Sequence, residues 1–311
     1  MDKLDRGMLL ELMKDSRAPV AALSRKLHAS REVCNYRLAR LEKSGTILKF
    51  VTEIDAEKLG YSGAAVFINI KRGRSAAFES FLRTCPYVSW VAELSGIWNF
   101  GLSIYAKSSQ KLDEEFYRIC EKFREDIIDY RFLLLKENDF FYEKYFGAMP
   151  AKRKETATGH EIDSKDRLLL KLLAKNSRMG AVELAKKAGI TPQTAGQRIK
   201  MLEKGGVIRK YSILVDVSKL GLYQYGIFIS SKDAGAMKKL SAYLHQHPKV
   251  SYLAAYIGST TLEFGAVVEN PYGLRDILQD IGEAFPESKV AEISLFQKEF
   301  VSVGLPDCVF D

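Results

Sequence analysis

Two stretches decide the fold: SREVCNYRLARLEKSGTI at Ser30–Ile47 and TPQTAGQRIKMLEKGGVI at Thr191–Ile208. They stand 161 residues apart and share Arg37/Arg198, Leu41-Glu42-Lys43/Leu202-Glu203-Lys204, Gly45/Gly206 and Ile47/Ile208. Cys34, Leu38 and Leu41 recur at i, i+4 and i+7, as do Ala195, Ile199 and Leu202, which predicts one helix with one buried face in each copy. Cys34 is then a core residue rather than a nucleophile. Ser30 and Thr191 stand where an N-cap hydroxyl belongs, Pro192 takes the favoured first helical position, and Gly45 and Gly206 follow the helix ends.

Upstream of the first stretch, Met8, Leu9, Leu12 and Met13 repeat at helical spacing, and a short helix is expected over about Val20–Leu27. The tight corner between the second and third helices is His28 in one copy and Gly189 in the other. A corner that needs positive φ takes Gly first, and His is one of the few tolerated substitutes, so His28 reads as structural. Three helices opening onto the extended segment Thr46–Ile54 read as a winged helix-turn-helix. The exposed face of the third helix carries Arg31, Asn35, Tyr36, Arg40 and Lys43, or Gln193, Gly196, Gln197, Lys200 and Lys204. Arg and Lys hold phosphates, while Asn, Gln and Arg can make paired hydrogen bonds to purine edges. With the cap residues, the expected contacts to double-stranded DNA are Ser30, Arg31, Asn35, Tyr36, Arg40, Lys43, Thr191, Gln193, Gln197, Lys200 and Lys204.

The similarity extends along the chain. Across residues 5–50 the ungapped shift of 161 matches 16 of 46 positions. Lys58-Leu59-Gly60 meets Lys219-Leu220-Gly221, and after one added residue Pro86-x-Val88-Ser89 meets Pro248-x-Val250-Ser251. The chain is two copies of one unit. Between them residues 147–162, small, polar and charged, read as a linker that contains His160. The rest of each unit reads as βαββαβ. In the first copy, strands are expected at Ala64–Lys71, Val88–Leu94, Phe100–Ala106 and Ile127–Leu135, with helices at Ala76–Cys85 and Leu112–Arg124. In the second, strands are expected at Tyr225–Ser230, Val250–Ile257, Leu262–Val268 and Val290–Phe296, with helices at Met237–His247 and Tyr272–Ala284. That order argues for a ferredoxin-like α+β layer whose aromatic open face seeks a partner sheet.

Charge follows the same division. The chain of 311 residues has 47 Lys+Arg and 39 Asp+Glu, a net charge of +8. Residues 1–50 carry +5 and residues 163–211 carry +8, whereas 51–146 carry −2 and 212–311 carry −4. Residues 147–162 add +1, which completes the sum, so nearly all of the positive excess lies on the two helix-turn-helix blocks. No apolar run approaches the ~18 residues of a membrane span, the N-terminus lacks the apolar core of a signal peptide, and the four cysteines form no C-x-x-C pair. A cytoplasmic protein without metal, cofactor or membrane contact is expected.

A helix-turn-helix with R-[LI]-x-x-L-E-x-x-G-x-I (Arg37–Ile47, Arg198–Ile208), a Lys-Leu-Gly hinge and a βαββαβ domain resembles the Lrp/AsnC feast/famine regulators, twice over. The resemblance implies an α+β chain of two winged helix-turn-helix domains (1–54 and 163–215) alternating with two ferredoxin-like effector (RAM) domains (55–146 and 216–311). It further implies a transcriptional regulator that assembles through its effector domains and responds to an amino acid or other metabolite near the turn of the central strand pair. The implied effector residues are Gly96, Trp98 and Asn99, and Gly258, Thr260 and Thr261. Family members show T-G-x-[YW]-D at this turn. Here the Asp is Asn99 or Thr261, and neither can hold an ammonium by charge.

The leading turns of the two third helices differ throughout, so a single-chain pseudo-dimer that reads two different half-sites is expected. The rival is an enzyme, since siroheme decarboxylases resemble the same family and some are fused pairs. The basic recognition helices, and the absence of an Arg/Trp-rich tract near the C-terminus, argue for a chain without catalytic activity. His245-x-His247 reads as a helix end and lacks a third metal ligand. Asp113-Glu114-Glu115 reads as acidic residues at a helix N-terminus, and Phe140–Phe146 as a seal on the first effector domain or an interface.

Overall fold

The computed structural model describes residues 1–150, 161–231, 233–302 and 304–311. Most of the expected linker, with His160, lies outside them. The first copy runs α1 (Lys3–Lys14), α2 (Val20–Leu27), α3 (Arg31–Lys43), β1 (Ile47–Ile54), β2 (Ser62–Ile70), α4 (Ser75–Leu82), β3 (Val88–Ser95), β4 (Phe100–Ala106), α5 (Ser109–Lys122) and β5 (Ile127–Phe140). The second repeats it as α6 (Ser164–Lys175), α7 (Ala181–Ala188), α8 (Pro192–Lys204), β6 (Ile208–Val215), β7 (Tyr223–Ser230), α9 (Ala234–Gln246), β8 (Val250–Tyr256), β9 (Thr261–Val268), α10 (Pro271–Ala284) and β10 (Lys289–Ser302).

The chain divides into two compact units that run across the copies. Among the described residues, unit 1 gathers both helix-turn-helix copies, residues 1–61 and 161–216, together with residues 304–311; unit 2 holds both βαββαβ segments, residues 62–150, 217–231 and 233–302. The last residues, expected in the second effector domain, fold instead within unit 1. Val309 and Phe310 are buried, Arg167 donates to the Val309 carbonyl (3.2 Å), and Tyr61 donates to the Cys308 carbonyl (2.7 Å).

Unit 1 is built around the expected helical stripes. Met8, Leu9, Leu12 and Met13 are fully buried on α1, and Leu169, Leu170 and Leu173 on α6. At roughly 1.5–3 kcal/mol per buried side chain, this stripe outweighs the cap of about 1 kcal/mol that Asp2 gives α1 through the Asp5 N–H. The strands that follow the recognition helices pair with each other: β1 and β6 form an antiparallel ribbon with Val51 opposite Ser212. Ser16 and Ser177, equivalent residues, share a hydrogen bond of 2.6 Å between their hydroxyls. Arg17 donates to the Ser177 carbonyl (2.5 Å), and Arg178 answers it at Ser16 (2.6 Å). The repeated Ser-Arg pair therefore stitches copy to copy on a local pseudo-twofold.

Unit 2 is a pair of ferredoxin-like α+β layers whose sheets close into one barrel, in the order β10-β3-β4-β2-β5-β8-β9-β7. Alternation sorts the side chains of β7: Ile227 and Ile229 pack with Leu240, Leu244, Ile277 and Ile281 of the helices, while Phe228 turns to a cluster with Phe67, Leu94, Trp98 and Tyr256. The aromatic face does find its partner sheet. The final strands are longer than predicted. Ile127–Leu134 of β5 pairs with β2, and Leu135–Phe140 goes on to pair with β8 of the other copy; β10 likewise passes from β7 to β3.

One further expectation changes, and of the two roles read for Phe140–Phe146 the packing shows the interface. Helix α5 starts at Ser109 under a Ser108 cap, so Asp113-Glu114-Glu115 sit past the first turn, where Glu115 is buried and paired with Lys111 and Arg118 at 3.0 Å each. Within Phe140–Phe146, Phe141 packs into the helix-side core of the second copy, so this segment joins the copies. Beside it Lys144 donates to the His245 carbonyl (2.8 Å) and lies 4.2 Å from the Phe141 ring centroid. Burial pushes its ammonium down to about 8. An unfolded Lys titrates near 10.4, so the folded state holds fewer protons between these values and stability should rise with pH from about 8 to about 10. Thermal melts of Lys144→Met should lack that part of the rise; curves parallel to wild type would show that the buried charge has no cost.

Candidate nucleic-acid interface

Each recognition helix is held by its cap and its corner. Ser30 Oγ accepts from the Val33 N–H at 3.2 Å, and Thr191 Oγ1 from the Thr194 N–H at 3.1 Å. His28 adopts the left-handed conformation at φ 50°, ψ 42°, matching Gly189 at φ 63°, ψ 42°. Among the described residues it is the non-glycine with positive φ, as its place at the corner requires. Cys34, Leu38 and Leu41 face inward, as do Ala195, Ile199 and Leu202.

The outer faces are open. Arg31, Asn35, Tyr36 and Lys43 are exposed on α3, Tyr36 by 66%. Gln193, Gln197, Lys200 and Lys204 are exposed on α8. Gly196 sits between the two glutamines of α8, with open space where a Cβ would project. The two faces offer different donors: guanidinium, amide, phenol and one ammonium on α3, two amides and two ammonium groups on α8.

Behind each face lies an ion-pair network that the residue pattern did not reveal. Arg37 donates to the buried Asp5 at 3.0 Å and also pairs with Asp2; Arg198 pairs with the fully buried Asp166 (2.9 Å) and with Asp163 (2.8 Å). The Asp5 N–H and then Arg37 hold the Asp2 carboxyl below its usual range, and the Asp166 N–H followed by Arg198 does the same for Asp163. These pairs tie the recognition helix to the first turn of the first helix. Arg40, expected as a phosphate contact, also donates to Asp5 at 2.6 Å, and Met201 stands in its place on α8. The first copy thus adds a second guanidinium at Asp5, whereas in the second copy Asp166 also accepts from the Asp163 N–H at 3.2 Å.

The expected effector residues of the first copy have structural tasks. Gly96 packs on β10, where a Cβ would stand 2.6 Å from the Ile293 carbonyl oxygen. Trp98 is buried and donates to Glu292 at 3.0 Å. The Asn99 amide closes both hydrogen bonds of the Ile70 backbone, at 3.0 and 2.9 Å. In the second copy Gly258 is left-handed with open space around it, and Thr260 is exposed. Sequence reasoning missed the barrel's charged residues. Glu263 is buried, accepts from Tyr252 at 2.7 Å and also from Tyr256, and burial pushes its carboxyl up. Among the described residues no cluster of His, Cys, Asp and Glu could hold a metal, and no helix is long and apolar enough to cross a membrane.

Comparison with known proteins adds two kinds of likeness. Residues 1–42 match the AsnC-type helix-turn-helix domain, and residues 162–209 a winged helix-turn-helix DNA-binding domain. The HTH-type transcriptional regulator FL11 of Pyrococcus horikoshii is 30% identical over 114 residues, 36% of this chain and 76% of FL11. The HTH-type transcriptional regulator AldR of Mycolicibacterium smegmatis is 32% identical over 117 residues, 36% of this chain and 68% of AldR. In fold, the siroheme decarboxylase NirDL matches 99% of this chain and 97% of its own, with a TM-score of 0.65 at 16% identity. That match corrects the expectation of a chain without catalytic activity, because an enzyme has this whole two-unit architecture. In sequence, the relatives are DNA-binding regulators, and the chain belongs to the Lrp/AsnC family, with two family units in tandem.

Proposed function

We propose that this protein is a sequence-specific, double-stranded-DNA-binding transcriptional regulator of the cytoplasm, a single-chain pseudo-dimer whose α3 and α8 read different half-sites. The observation that carries the reading is the pairing of two basic helix-turn-helix copies through β1 and β6, with recognition faces that do not match. A homodimer reads a palindrome because its helices are identical; a chain with Arg31-Asn35-Tyr36 on one side and Gln193-Gln197 on the other has no such constraint. Selection from a random duplex pool, followed by footprinting in moderate salt, tests it. An asymmetric site is expected, and a symmetric palindrome overturns the reading.

Gly196 supplies a second test. A glycine inside a helix costs roughly 0.5–1 kcal/mol relative to alanine, and the open space around it shows no intramolecular need for it. A glycine on this face allows a close approach to the DNA. Gly196→Ala should therefore raise the unfolding midpoint while weakening binding to the selected site several-fold. Stability and affinity rising together would exclude that role. For the metabolite effector, the exposed turn at Gly258, Thr260 and Thr261 is the better candidate, since Gly96, Trp98 and Asn99 are engaged within the fold. Light scattering with and without candidate amino acids reads both the effector and any further assembly.

The full-length match to NirDL favours one second reading, tetrapyrrole decarboxylation with siroheme as substrate. Titrating the pure protein with siroheme under anoxic conditions tests it through the absorbance spectrum. An unchanged siroheme spectrum counts against it.

A further inference from the structure

We infer that the barrel of unit 2 is mated by charge, so that each half accepts the other and rejects a second copy of itself. The basis is a pair of equivalent positions that hold opposite charges. Arg131 and Glu292 stand 161 residues apart, and the strand registers place Arg131 opposite Phe67 on β2 and Glu292 opposite the equivalent Phe228 on β7. The two side chains form an ion pair with each other. Glu292, its side chain only 9% exposed, also accepts from Trp98. The Arg131 guanidinium lies 5.2 Å from the Trp98 ring centroid and 5.6 Å from that of Phe228.

A twofold axis brings equivalent positions together. In a barrel of two first halves Arg131 would meet a second Arg131, and in one of two second halves Glu292 would meet a second Glu292. Like charges at ion-pair distance against an apolar cluster repel, and most strongly for two buried Glu292 carboxylates, since the Arg131 side chain is 37% exposed and water screens part of its charge. A second difference adds to the first. The buried Glu263 of β9 stands where the first half has Gly101, and a Cβ on Gly101 would lie 3.0 Å from the Trp90 ring. Two second halves would thus bury two copies of Glu263 as well as two of Glu292. At the Ser16–Ser177 contact of unit 1, by contrast, identical hydroxyls meet, and a homodimer would be served equally well. The partner that fits either half of unit 2 is a half of opposite charge at this position, which a single-unit chain pairing with itself does not provide.

Charge reversal in the full-length protein tests this. Arg131→Glu reproduces the charges of two second halves, Glu292→Arg those of two first halves, and the double reversal restores opposite signs. Each single reversal is expected to lower the thermal midpoint by about 4–10 °C, and the double variant should recover at least half of the summed loss. A double variant that loses the full sum, or single reversals within 1 °C of wild type, overturns the inference. Should a reversal fail to fold, Arg131→Gln and Glu292→Gln remove charge without inverting it. Each is expected to lower the midpoint, by less than 4 °C; a neutral variant indistinguishable from wild type overturns the inference too.

Discussion

Replacing Arg31 and Asn35 together by alanine is expected to abolish base preference in one half of the bound site and leave the other half's preference intact. Replacing Gln193 and Gln197 should do the reverse. Each paired contact to a base edge is worth roughly 1–3 kcal/mol, so either double variant should lose about 2–6 kcal/mol of discrimination in its own half. Lys200→Ala serves as the contrast: loss of a phosphate contact weakens binding to all sequences alike and lowers the salt slope by about 1. Selection with each variant, followed by titration at two salt concentrations, separates these outcomes. If both double variants relax the same positions, the half-site assignment is wrong.

The second large effect concerns Arg198. Methionine there leaves the fully buried Asp166 without its guanidinium, and breaking one side of a buried pair costs about 3–5 kcal/mol. Arg37→Met should cost less, because Arg40 also donates to Asp5, whereas the second copy has Met201 at that place. Urea unfolding of the two variants is expected to separate by more than 1 kcal/mol, with Arg198→Met the weaker. Equal losses would mean that Arg40 gives Asp5 no support.

These networks show where reading the sequence stopped. The helices of unit 1 were legible because Met8, Leu9, Leu12 and Met13, and then Cys34, Leu38 and Leu41, repeat at helical spacing, and because the caps Ser30 and Thr191 and the corner residues His28 and Gly189 satisfy local geometry alone. The ends of β5 and β10 were not. Lys136-Glu137-Asn138-Asp139 has no apolar alternation, and it becomes strand only because the edge of β8, far away in sequence, supplies hydrogen-bond partners. The helix of Asp113-Glu114-Glu115 begins one turn earlier than its apolar pattern, since the Ser108 cap acts before the first buried side chain, Leu112.

The recognition face was legible residue by residue, but its support was not. Arg37 and Arg198 were visible as repeated positions, while Asp5 and Asp166 became their partners only through the packing of the first helix on the third. Arg131, Glu292 and Glu263 lie in strands that read as ordinary sheet. Their meeting depends on register and on closure of the barrel, which no local pattern encodes.

The ribbon of β1 and β6 has a consequence for dosage. A regulator whose halves associate from separate chains loses its paired form on dilution, so its occupancy of a site falls with roughly the square of its abundance when chains are scarce. Here the two strands belong to one polypeptide, and their encounter is governed by an effective concentration set by the connecting chain. If the proposed single-chain pseudo-dimer binds without further assembly, pairing persists at a few molecules per cell and occupancy scales with the first power of copy number.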